Sequence, residues 1–208
     1  DVTDPDSVTR AYGTFLARGG VNGGDGGRIE TSGNWLDISG ISVSAQSPRG
    51  SAGIWLLDPN NINIQTAGPD TNVAGDPAFV STNDTSILTI ATLLAALDAG
   101  TNVSVSTSTA GANAQGGDIT VVDDIANTAD NDATLTLNAH RDIVINGDVS
   151  SSTHKLNIVL NADSDRSADG AIIVQADIAT NGGNVKFGAD SSYEVGTVFG
   201  GAGTRSVI

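Results

Sequence analysis

ATLTLNAHRDIVINGDVSSSTHKLNIVLNADSDRSADGAIIVQADIAT, residues 133–180, is the stretch whose reading decides the fold. It holds four short alternating runs, each stopped by small, polar or turn-forming residues. Alternation along a strand sends every second side chain to the same face. Leu135, Leu137 and Ala139 therefore share one face, and Leu156, Ile158, Leu160 and Ala162 share it one lap later. Thr136-Leu137-Asn138-Ala139 returns as Val159-Leu160-Asn161-Ala162. Arg141-Asp142-Ile143-Val144-Ile145-Asn146-Gly147 is echoed by Gly170-Ala171-Ile172-Ile173-Val174-Gln175-Ala176. A period of ~20 residues, with two or three strands per lap, describes stacked coils of strand rather than hairpins. The expected fold is all-β: a parallel β-helix (β-solenoid) with one narrow core that no single lap could build alone.

Working outward, the composition agrees. Aromatic residues are only 4% of the chain, so a core must be lined by Val, Ile, Leu and Ala. There are 26 glycines against 5 prolines, which fits many tight turns rather than a Pro-rich linker. The net charge is −15, nearly all of it from Asp, a turn and cap former, rather than Glu. That charge argues against nucleic acid or an anionic membrane as partner, since both need positive potential. Cysteine is absent, which excludes disulfide and thiol chemistry. The apolar run around 87–97 is too short and too interrupted by Thr to span a bilayer, so no membrane insertion is expected.

Taken as one segment over 1–208, the chain shows the same punctuation elsewhere. Residues 8–17 form a strand pair broken at Gly13. Residues 18–27 are a glycine-dense corner. No Gly-Lys-Ser/Thr follows it to make a phosphate loop, and a single GGDGG lacks the repetition of a calcium nonapeptide array. Trp35 and Trp55 lie about one lap apart and are expected to pack on each other at the rim, with a carbohydrate platform as the weaker reading. Residues 68–88 read as a protruding loop containing Pro69 and Pro77. The period then changes: Ile90, Leu93, Leu94 and Leu97 fall at helical spacing, with Thr89 as N-cap and Gly100 as stop, predicting one short α-helix near 89–99. After residue 193 the chain keeps Val195, Val198, Phe199, Val207 and Ile208. A natural end would be blunted, so the polypeptide is expected to continue.

Ala17-Arg18-Gly19-Gly20, Gly23-Gly24-Asp25-Gly26-Gly27-Arg28-Ile29-Glu30-Thr31-Ser32-Gly33 and Leu56-Leu57-Asp58-Pro59-Asn60-Asn61-Ile62 resemble the filamentous haemagglutinin family of large bacterial exoproteins. So do Thr92-Leu93-Leu94-Ala95-Ala96-Leu97, Gly100 to Thr107, Gly117-Asp118-Ile119-Thr120-Val121, and Leu135 to Asn146. The ordered set spans most of the chain from Ala17 to Val174. The resemblance implies a right-handed parallel β-helix, secreted through an outer-membrane partner and held or released at the bacterial cell surface. It implies adhesive, biofilm or cell-contact roles, with host or neighbouring cells or extracellular matrix as partners. It supplies no catalytic residues. End-to-end self-association through exposed strands is the alternative reading, and a carbohydrate-active β-helix enzyme the weaker one.

Candidate chemistry is sparse. An enzyme of that last kind needs converging carboxylates or a base in one groove. His140-Arg141-Asp142 is the nearest constellation, yet strand alternation would send its neighbours to opposite faces. Asp163, Asp165 and Asp169 offer hard oxygen ligands for calcium, as do Asp123, Asp124, Asp130 and Asp132 on what reads as one acidic loop. Asn138, Asn146, Asn157 and Asn161 are placed for amide ladders. Asn83-Asp84-Thr85 and Asn102-Val103-Ser104 match the glycosylation acceptor pattern.

Overall fold

A computed structural model describes residues 7–33, 35–58, 61–68, 73–74, 80–81, 85–107, 115–167, 169–188 and 192–194, the side chains of 35, 73–74, 80–81 and 192–194 excepted. The chain forms a parallel β-helix with three strands to a lap. Sheet one stacks, in order, Arg28–Ser32, Ile54–Asp58, Asn102–Ser106, Ala133–Asn138, Leu156–Asn161 and Val185–Phe187. Sheet two runs Thr85–Thr89, Asn61–Gln65, Ile119–Val121, Ile143–Ile145, Ala171–Val174 and Ser192–Glu194. Sheet three holds Ile125–Asn127, Val149–Ser151 and Ile178–Ala179. Two parallel pairs, Val8–Arg10 with Trp35–Asp37 and Gly13–Leu16 with Ile41–Ser44, complete the first laps.

Register follows the inward apolar residues. Leu135 pairs with Ile158 and Leu137 with Leu160, the same offset that carries Asn138 to Asn161. Ile143 pairs with Ile172, a longer step along the chain. The lap therefore exceeds the period read from the repeats and varies with its corners. Trp55, Val103, Leu135 and Ile158 form one inward column, each at most 2% exposed. Burying such side chains is worth roughly 1.5–3 kcal/mol apiece. That stabilisation exists only when laps stack, since each lap supplies only half of the contacts.

Thr89 and Gly100 bound the helix, Ile90–Asp98, as their residue types require. Thr89 Oγ1 accepts from Thr92 N at 3.3 Å, and Gly100 takes φ +66°. Ile90, Leu93, Ala96 and Leu97 are buried against Ile41–Ser44 on one side and Ile125–Asn127 on the other. The helix thus occupies the place of strands in sheet three. A helix with side chains is about 10–12 Å across, close to two strand spacings of ~4.8 Å.

Sheet two shows why that height is filled. The segment 68–88, expected to protrude throughout, ends in the strand Thr85–Thr89, which slips beneath Asn61–Gln65 in parallel register. Its other side lies against Trp35–Asp37, where Leu36 N donates to Ser86 Oγ at 2.8 Å. The signal for this strand was present in Ser86, Leu88 and Ile90, all buried, but its neighbour could not be read from chain order. Val73–Ala74 and Val80–Ser81 form an antiparallel pair within the same excursion. The apolar residues expected after 193 lie outside the described residues from position 195 onward.

The two tryptophans lie on strands of different sheets, and the side chain of Trp35 lies outside the described residues. Trp35 sits on the strand paired with Val8–Arg10, whereas Trp55 belongs to sheet one. Trp55 is 0% exposed and its indole N–H donates to Thr31 Oγ1 at 3.1 Å, so it is core rather than platform.

Candidate functional site

The corner between sheets one and two gathers half of the polar side chains the sequence singles out as candidate chemistry. In the lap through Asn138, the chain passes from sheet one to Ile143 in five residues; in the next lap, Asn161 to Ile172 takes eleven. The six extra residues make a loop carrying Asp163, Asp165 and Asp169. Asp163 N donates to Arg141 O at 3.0 Å and Ser164 N to Ala139 O at 3.1 Å, tying the loop to the lap before it. Asp163 and Arg166 take left-handed φ values of 53° and 62°, which turn the chain sharply there. Gly170 returns it to the strand: a Cβ there would stand 2.3 Å from Arg141 O, so no other residue fits without movement.

The three carboxylates converge, as their spacing predicts. One oxygen of each lies within 4.8 Å of the others, with Asp163 buried and Asp165 and Asp169 exposed. Ser167 Oγ bridges Asp163 Oδ1 at 3.3 Å and Asp169 Oδ1 at 2.5 Å, and Ser167 N donates to Asp165 Oδ1 at 3.2 Å. His140 Nε2 stands 3.3 Å from Asp165 Oδ2. At Asp165 desolvation favours the neutral acid, but hydrogen bonds from Ser167, the field of His140 and the contact with Asp163 outweigh it, lowering the pKa. The set matches calcium in ligand type, and supplies three of the six to eight oxygens that ion takes.

His140, Arg141 and Asp142 depart from the alternation argument because residues 140 and 141 form a bend rather than a strand. Arg141 grips Asp118 of the preceding lap through Nε at 2.9 Å and Nη2 at 2.7 Å, and its Nε is 3.2 Å from Asp142 Oδ2. The Asp118 hydrogen bonds and charge, helped by Asp142 and Asp169, raise the guanidinium pKa further. Neighbouring residues therefore do converge here, on a structural ion pair.

The second acidic group is divided. Residues 123–132 are not one loop, because Ile125–Asn127 is a strand of sheet three with Ile125 and Asn127 buried. Asp123 and Asp124 fall at one corner, Asp130 and Asp132 at another. Most of the corner acids have an inter-lap duty instead. Asp118 accepts from Asp142 N at 3.2 Å, Asp142 from Ala171 N at 2.9 Å, Asp124 from Asp148 N at 2.9 Å, and Asp148 from Asp177 N at 2.9 Å. Asp132 accepts from Lys155 N at 3.0 Å and Asp123 from Thr66 N at 2.7 Å. A carboxylate at a corner thus satisfies the amide of the adjacent lap where the strand ladder has stopped. Sequence reading missed this ladder, although its signal was present in the Asp that stands just before Ile119, Ile125, Ala133, Ile143, Val149 and Ile178.

The amides behave alike. Asn161 Nδ2 donates to Asn138 Oδ1 at 2.6 Å, and Asn157 Oδ1 accepts from Asn184 N at 3.0 Å, while Asn146 is exposed. Asn102 of the acceptor triplet accepts through Oδ1 from Thr134 N at 2.9 Å; Asn83 lies outside the described residues.

At the opposite corner, between sheets three and one, a polar cleft of about 460 Å³ opens between Gln46, Pro48 and Gly50 of one lap and Asn131 and Asp132 of another, with Gly100 also lining it. Sheet one has a single strand, Asn102–Ser106, across the height that the helix fills in sheet three. That mismatch leaves the gap. No helix among the described residues is long and apolar enough to cross a membrane. Compared with models of known protein families and with curated proteins, the chain matches none of them.

Proposed function

We propose that this chain is a shaft segment of a secreted bacterial surface fibre, resembling the filamentous haemagglutinins, that holds adhesive surfaces away from the cell. The observation that carries the reading is the unbroken inward column through sheet one, stacked lap on lap with in-register parallel hydrogen bonding. Backbone hydrogen bonds then run along the long axis, and bending the rod requires stretching a whole sheet of them. The polar corner groups are consumed in bonds between laps, which suits a load-bearing role. The ordered sequence resemblance supports the secreted setting, the outer-membrane secretion partner and the contacts with host cells, neighbouring cells or matrix. The purified chain, coated on beads, should retain bacteria or host cells above the level of a β-rich control protein of equal charge. Retention equal to the control, or turnover of an acidic polysaccharide by the chain, would contradict the reading.

A further inference from the structure

The cleft between sheets three and one gathers polar groups that the bonding between laps leaves over. Gly100 takes φ +66°, and a Cβ there would stand 3.4 Å from Gln46 Cβ and 3.7 Å from Asn131 Cγ. The two amide side chains thus approach one point from different laps. Gln46 makes no side-chain hydrogen bond among the described residues. Asn131 Nδ2 donates to Asp98 O at 3.3 Å, and Asp132 Oδ1 accepts from Lys155 N at 3.0 Å. Asn131 Oδ1 and Asp132 Oδ2 have no partner among the described residues. Asn131 and Asp132 are exposed and Gln46 half-buried, so all three can be reached from solvent.

The helix Ile90–Asp98 ends at this cleft. Its last carbonyls are satisfied, since Ala95 O accepts from Ala99 N, Leu97 O from Gly100 N and Ala96 O from Thr101 N. Its dipole is not. The last turn holds no basic residue and closes on Asp98, so the negative pole, roughly half an elementary charge, has no counterion within the helix. Asp132 adds a carboxylate to the cleft wall. Arg49, which sits between two lining residues, and Lys155, whose amide binds Asp132, do not line it themselves. The cleft is therefore a site for positive charge, and its size decides which kind. At about 460 Å³ it is far larger than a bare ion needs, and one carboxylate with two amides does not supply the roughly six to eight oxygens of calcium. The volume does fall within the ~300–1,000 Å³ of sites for small organic molecules. An ammonium group carries three donors and no acceptor, which suits the oxygens of Gln46, Asn131 and Asp132. Ser47, Pro48 and Ala52 make the remaining wall small and largely polar, so a hydroxylated body fits better than an aliphatic one.

We propose that this cleft binds a primary ammonium group carried on a small hydroxylated molecule, an amino sugar being the simplest case. The ammonium lies against Asp132 and the end of the helix, and the hydroxyls lie along the 46–52 wall. The site draws on the cleft and not on adhesion, so either reading can fail alone.

Glucosamine titrated into the isotopically labelled full chain, followed by NMR, tests it. Amide signals of 46–52, 99–101 and 131–132 should shift together and saturate with a Kd of about 1 mM or tighter, weakening as salt is added. N-acetylglucosamine, which keeps the hydroxyls and loses the charge, should bind at least tenfold more weakly, and n-butylamine, which keeps only the charge, should also bind more weakly. Asp132→Asn retains the acceptor for Lys155 N and removes the charge, so it should weaken binding by about tenfold or more. Gln46→Met removes a side chain with no partner to lose, and should weaken binding severalfold with the coil intact by circular dichroism. Asp148→Asn makes the same change in net charge at a different corner and should leave binding unchanged. The absence of a saturable shift overturns the proposal, as does equal affinity for N-acetylglucosamine or for n-butylamine. Equal losses at Asp132 and Asp148, the mark of diffuse attraction to an acidic protein, overturn it too.

Discussion

A corner aspartate in this protein does the work that a strand partner does elsewhere. Where the chain turns from one sheet to the next, an amide of the adjacent lap loses its ladder acceptor, and a carboxylate reaches across to supply one. Asp148 shows this in isolation, since its Oδ1 accepts from Asp177 N while its own amide donates to Asp124. Asp148→Ala should lower stability by about 0.5–1.5 kcal/mol, the net worth of one such bond, read as a shift in the urea midpoint at constant m. Asp148→Asn, which keeps the acceptor, should recover most of it. Asp58 is the opposite case. Burial, then the charge of Glu30, raises its pKa, so the native state keeps this proton to higher pH than the unfolded chain. Once ionised, above that raised value, the group opposes folding, and the penalty vanishes as pH falls back through it towards the ordinary one. Asp58→Asn should therefore melt higher than the parent at pH 7, and the gap should close in acid. Equal gaps at both pH values would refute the assignment.

At the scale of elements, the helix is the informative one. It stands in a position that sheet three would otherwise fill with strand, and its height is matched in sheet two by a strand inserted out of chain order. Thr89→Ala removes the N-cap acceptor and should cost about 1 kcal/mol. Leu93→Ala, at a fully buried position, should cost about 2–5 kcal/mol. Both losses are measurable by denaturant unfolding, and a Leu93 loss as small as that of Thr89 would mean the helix is not wedged between laps. The helix was legible in the sequence because its period differs from every neighbouring run and Thr89 and Gly100 flag its ends. The place of the strand Thr85–Thr89 was hidden because its neighbours do not follow chain order; the Ser86 hydroxyl accepts from Leu36 N, fifty positions away. The carboxylate group of Asp163, Asp165 and Asp169 could be read from local spacing alone. Its tie to His140 and Arg141 could not, because that depends on a bend where alternation no longer holds.

Across the whole molecule, stability is close to a sum of laps and of contacts between neighbouring laps. Ala133 to Lys155 make one complete lap, since Ala133 pairs with Leu156. Deleting that lap should leave a folded, shorter rod with unchanged cross-section by small-angle scattering, whereas deleting half of it should abolish cooperative unfolding by moving every inward side chain out of register. The repetition was readable because Leu-Asn-Ala recurs at corresponding positions; the lap length was not, because corner insertions such as the one at 163–169 stretch it unevenly. The axial order of strands is the claim on which the rest stands, and the lack of native cysteine makes it directly measurable. Glu30, Leu56, Ser104, Thr136, Val159 and Lys186 form one outward column of sheet one. Spin labels on cysteines at Glu30 with Thr136, with Val159 or with Lys186 should report backbone separations of ~14, ~19 and ~24 Å, rising by one strand spacing per step. Distances that fail to increase in that order, as in a sandwich whose strands fold back on one another, would contradict the stacked coil.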